Sequence, residues 1–157
     1  MDLKLTVAHG EECHELTFSR TSSTSEIRIV GELISSHEEA DTRMMCHALF
    51  ASKSSGWVEI QSPDTDVLVL AISKCKDMDC KLYFETGTGN NRRLLDVSII
   101  HQQLSEAHVY APEALIGLHT FTGCDSLSSF HGKRKVKPLN LMLCEPKFVE
   151  LFRNVGS

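Results

Sequence analysis

The stretch from Trp57 to Ile72 constrains the fold more than any other part of the chain. Trp57-Val58-Glu59-Ile60-Gln61 looks like a strand. Ser62-Pro63-Asp64-Thr65-Asp66 follows it, and Val67 to Ile72 is an unbroken apolar run. That order predicts a strand, a tight corner and a short helix over 65–74. Two aspartates, one residue apart, therefore sit where a strand ends. In open α/β sheets ligands collect at that edge, and carboxylates there can hold hard cations such as Mg²⁺. Turn and N-cap roles account for the same two residues without any ligand.

The remaining chain reads in the same manner. Leu3, Leu5 and Val7 alternate with polar residues, His9-Gly10-Glu11-Glu12 is a turn, and Leu16-Thr17-Phe18 can pair back as a hairpin. Glu26 to Val30 alternates again and Gly31 ends it. Ser36 and Glu39 form a capping box that opens a helix with Ala40, Met44, His47, Ala48 and Ala51 on one face. Lys81 to Glu85 is a second strand, and Gly87-Thr88-Gly89-Asn90-Asn91 can close a hairpin with Arg92 to Leu95. Asp96 caps a helix carrying Val97, Ile100 and Leu104. Pro112 suits the first turn of the next helix, which runs to Gly123-Cys124-Asp125. Pro138 interrupts any helix after the basic cluster, and Phe148, Leu151 and Phe152 mark a last short one.

Strands alternating with helices predict an α/β fold with a mainly parallel sheet flanked by helices. The organisation expected is a β-rich segment over 1–35, a core over 36–137 and a C-terminal helical tail over 138–157.

Composition narrows the function classes. The chain of 157 residues carries a formal net charge of −5, so no global basic field advertises nucleic-acid binding. A polyanion would have to meet the local cluster Lys133-Arg134-Lys135. The longest apolar run is too short to span a bilayer, and the N-terminus lacks a signal-peptide core. No membrane association and a nuclear or cytoplasmic setting are expected. The six cysteines form no C-x-x-C pair, which argues for free thiols over a zinc ribbon.

The carboxylates fall into three clusters. Glu39 and Asp41 lie at a helix start, Asp64 and Asp66 after a strand, and Asp125 after a helix. Convergence would crowd like charges, which protonation or a divalent cation must relieve. Each cluster also has a plain local role: capping box, N-cap and helix-ending turn.

Taken in order, Glu39-Ala40-Asp41, Ser62-Pro63-Asp64-Thr65-Asp66, Thr122-Gly123-Cys124-Asp125 and Gly132-Lys133-Arg134-Lys135 resemble the internal half of the flap endonuclease family. The similarity is greatest to its divergent animal branch and covers about residues 36–136. It implies a PIN-like fold and a nuclease that hydrolyses phosphodiesters with Mg²⁺ or Mn²⁺. It implies that Glu39, Asp41, Asp64, Asp66 and Asp125 are metal ligands, with Asp64, Asp66 and Asp125 catalytic. It further implies that Lys133, Arg134 and Lys135 grip nucleic acid, DNA rather than RNA. The family also has an N-terminal half supplying two further aspartates, and only Asp2 precedes Glu39 here. A fragment of a longer protein, or an inactive nucleic-acid-binding or protein-interaction domain, are the two expectations that departure leaves.

Other signals are weaker. Gly87-Thr88-Gly89 lacks the rest of a phosphate loop and reads as a hairpin turn. His119, Cys124 and His131 match no common zinc spacing. Ser126, Ser128 and Ser129 near His131 lack a nucleophile elbow. Trp57 is expected in core or edge packing.

Overall fold

A computed structural model describes residues 3–19, 25–34, 40–123 and 136–156. The fold is mixed α/β, with six helices and two three-stranded sheets among the described residues. The chain divides into two compact units, Met1–Phe50 and Ala51–Ser157.

In the first unit β1 (Leu3–His9), β2 (Glu12–Phe18) and β3 (Ser25–Ile29) form an antiparallel sheet in that order. The expected hairpin is present, with Val7 opposite His14 and His9 opposite Glu12. Gly10 supplies the positive φ, 57°, that so short a connection needs. Helix α1 (Ala40–Ser52) follows; the capping box at Ser36 and Glu39 lies outside the described residues. Cys13, Val30 and Leu33 form a small core, joined by Cys46 and Phe50 of α1. Arg43 of α1 donates to the carbonyl oxygens of Gly10 and Glu12, tying the helix to the hairpin turn.

Register also places Glu15 opposite Arg28 and diagonal to Lys4. Arg28 Nε donates to Glu15 Oε1 at 2.8 Å and Lys4 Nζ at 3.3 Å. The Arg28 hydrogen bond, helped by Lys4, holds the Glu15 carboxyl below the ordinary glutamate range. A lowered folded-state pKa gives stability that is complete above the ordinary range and lost as pH falls through the folded value. Circular dichroism on acid titration is expected to show the first unit weakening below about pH 4, and Glu15→Gln to remove that component. An unchanged acid profile in the variant would refute the linkage.

In the second unit β4 (Trp57–Gln61), β5 (Lys81–Thr86) and β6 (Arg93–Asp96) form the sheet in chain order. β4 and β5 are parallel, joined through α2 (Thr65–Lys74). β5 and β6 are antiparallel, because the connection between them is too short for a crossover. Parallel pairing among the described residues is thus confined to β4–β5, rather than dominating the sheet as expected. Gly87-Thr88-Gly89 sits in this hairpin turn, and a Cβ on Gly87 would lie 2.3 Å from the Asn91 carbonyl oxygen.

Val58, Ile60, Leu82 and Phe84 share one face of the sheet and are buried. Helix α3 (Val97–Ala107), capped by Asp96 Oδ1 accepting from Ile99 N–H at 3.1 Å, packs against β5. Ser98 Oγ of the same helix accepts from Leu82 N–H at 3.0 Å. Trp57, on the opposite face of edge strand β4, is 60% exposed and meets Tyr83 edge-on at 6.4 Å. Its place is the sheet edge, not the core.

α4 (Ala111–Thr122), α5 (Val136–Cys144) and α6 (Pro146–Val155) enclose a second core of Ala111, Ala114, Leu118, Met142, Val149 and Phe152. Pro138 does not interrupt α5. It is the helix's third residue, where the missing N–H has no intrahelical partner to lose. Among the described cysteines, Cys13, Cys46, Cys75, Cys80 and Cys144 are free thiols.

Candidate functional site

The chain leaves β4 at Gln61, and Ser62 N–H still donates to Glu85 O of β5 at 3.1 Å. The sheet edge is therefore fixed up to the corner. Pro63 favours extended backbone before it. Asp64 is extended, with φ −87° and ψ 131°, the geometry of an N-cap. Ser62 Oγ accepts from Asp64 N–H at 3.1 Å, and Asp64 Oδ1 accepts from Asp66 N–H at 2.9 Å. Asp66 stands in the first turn of α2, where the helix dipole favours negative charge.

The local roles of these aspartates are thus filled: Asp64 is the cap of α2. The second carboxylate has a distant partner. α4 packs along α2 and brings His119 Nε2 to 2.5 Å from Asp66 Oδ1. The His119 side chain is 11% exposed and that of Asp66 30%. With the proton on Nε2, His119 donates to the carboxylate and restricts its rotation.

A carboxylate offers about four lone-pair positions, so one hydrogen bond leaves it further capacity as a ligand. Asp64 and Asp66 are hard oxygen donors of the kind Mg²⁺ and Mn²⁺ take. The corner fits such an ion as part of a donor set. Among the described residues no group of three or more His, Cys, Asp and Glu side chains is placed to hold a metal.

Asp41 lies in the first turn of α1 in the first unit. Glu39, Asp125, Lys133, Arg134 and Lys135 lie outside the described residues, as do Cys124 and His131 of the zinc reading and Ser126, Ser128 and Ser129. Spacing relates His119 only to zinc, whereas the structure sets it against a carboxylate 53 residues away. The available signal was an imidazole within the apolar helix sequence Ala-Leu-Ile-Gly-Leu-His-Thr-Phe, since a buried polar ring requires a partner.

A second polar group lies on the sheet face that carries Trp57. A shallow depression of about 260 Å³ is lined by Glu59, Glu85, Arg92, Arg93 and Leu94. Arg92 Nε donates to Glu85 Oε1, and this hydrogen bond holds the buried Glu85 carboxyl below its ordinary range. Glu85 is thereby a paired residue that fastens the β5–β6 hairpin.

Comparison of the chain with protein-family models, with curated proteins and with solved structures returns no match, so the reading of the site rests on its own residues.

Proposed function

We propose that the chain is the PIN-like core of a divalent-metal-dependent phosphodiesterase, a structure-specific nuclease acting on DNA rather than RNA. The observation that supports this most is the Asp64-Thr65-Asp66 corner at the carboxyl end of a parallel strand, with His119 against its second carboxylate. Asp64 and Asp66 would hold Mg²⁺ or Mn²⁺, with Asp125 as the further ligand that the family resemblance implies. The bound cations supply an activated water and offset charge on the transferring phosphate.

The chain's own part is positional. Ser62 and the Asp66 amide fix Asp64 against the strand end, while His119 Nε2 keeps Asp66 turned to one side. Lys133, Arg134 and Lys135 would meet phosphates locally, which a chain of net charge −5 requires.

Asp66→Asn keeps the size and the hydrogen-bonding reach of the side chain while removing its charge. It is expected to lower Mn²⁺-dependent cleavage of labelled flap and single-stranded DNA about a hundredfold or more. Equal cleavage by variant and parent would sink the assignment.

A second reading, an inactive nucleic-acid-binding or protein-interaction domain, is favoured by the cap role of Asp64. Calorimetry showing no Mn²⁺ uptake, with DNA binding indifferent to EDTA, would select it. Binding of either kind should weaken steeply with salt through counterion release.

A further inference from the structure

The antiparallel sheet of the first unit has its two faces set by register. Leu3 is opposite Phe18, Leu5 opposite Leu16, Leu16 opposite Ile27, and His14 lies between Val7 and Ile29. From Leu3 to Val7 one face is mostly aliphatic and aromatic, broken by Ser25 and His14, and its turn end carries His9 and the His14–Glu12 pair. The other face carries the Lys4–Glu15–Arg28 ion pairs, and at its end Cys13, which packs with α1. A sheet with one polar face ordinarily turns its apolar face to a core. Here the apolar face is open: Leu3 is 65% exposed, Leu5 50%, Val7 43%, Phe18 39%, Ile27 68% and Ile29 55%.

We infer that this face is a dimerisation surface, on which a second copy of the chain lays the same face to form a two-sheet sandwich. Three observations select a second copy. First, the apolar area is sufficient. Those exposures amount to about 600 Å² per copy, the upper end of what a monomer leaves open, and about 1,200 Å² for two copies, the lower end of stable specific interfaces. Second, the face is electrically self-compatible. Its cross-strand rows hold no Lys, Arg, Asp or Glu between Leu3 and Val7, and the first such residue along them is Glu12 at the turn end. A facing copy thus meets no like charge, whereas a charged partner would find no complement. Third, three strands with alternating side chains form a face that interdigitates with another sheet about 10 Å away. The inference is independent of the proposed nuclease activity.

Sedimentation equilibrium of the full chain over a concentration series tests it. The parent is expected to be dimeric at about 100 µM, a concentration chosen for an interface at the small, weak end of the specific range. Leu5→Lys and Ile27→Lys are each expected to weaken the dimer at least tenfold while leaving the far-UV circular dichroism unchanged. Both side chains are at least half exposed in the single chain. A spin label at Ile27→Cys is expected to report a short intermolecular distance in the parent background. A parent that stays monomeric overturns the inference, including a monomer whose face is covered by its own chain or taken up by lipid vesicles. So does a dimer that both lysine variants leave intact.

Discussion

Gly117→Ala is expected to destabilise the second unit by about 3 kcal/mol, at the upper end of overpacking effects. Gly117 lies within α4, where a Cβ would stand 1.9 Å from the carbonyl oxygen of Phe152 and 2.8 Å from its carbonyl carbon. That obstacle is the backbone of α6, not the tip of a flexible side chain, so it cannot rotate away. The approach is reciprocal, because a Cβ on Gly156 would lie 2.7 Å from Gly117 N. The two glycines let α4 and α6 meet closely and bury Leu118, Val149 and Phe152 between them. Urea denaturation followed by circular dichroism should give a lower midpoint with little change in slope. For a unit of this size the melting temperature should fall by about 12 °C or more. Gly56→Ala is the control: nothing lies within 4 Å of its Cβ, and its stability should hardly move. Equal stability for Gly117→Ala and parent would mean that α4 and α6 do not pack as described.

Phe84→Ala is expected to cost about 3–5 kcal/mol, the sum of lost transfer energy and a cavity that the sheet cannot close. Phe84 is the largest fully buried side chain, 1% exposed, in the central strand of its sheet. It stands opposite Ile60 on β4 and Leu95 on β6. The next residue, Glu85, supplies the carbonyl that accepts from Ser62 N–H at the entrance to the Asp64 corner. The loss should therefore also loosen the corner, read as faster amide exchange at Asp64 and Asp66. Tyr83→Ala, on the partly exposed opposite face, should cost much less. If the two variants lost equal stability, the assignment of faces would be wrong.

Much of this architecture was legible in the sequence, for local reasons. The strand-like stretch Trp57 to Gln61, the Pro63-Asp64 break and the apolar run after it each act within a few residues. The strand and helix appeared where they predict. The β5–β6 hairpin and the Asp96 cap were readable because glycine conformation and N-cap hydrogen bonds are short-range. Pro138 misled because its effect depends on position. One residue breaks a helix from its interior and begins one from its first turn. Trp57 was ambiguous because alternation gives two faces without saying which is covered.

The sequence by itself determined most of the elements, the Asp64 and Asp96 caps and the paired aspartates at the end of β4, since these follow from backbone sterics and hydrogen bonds between near neighbours. Only the tertiary structure decided that His119 meets Asp66, that Gly117 meets the backbone of α6, and that the apolar face of the first sheet stands open. Each of these depends on which surfaces close-packing brings together. That is a property of the whole set of side-chain volumes, and no single stretch of sequence carries it.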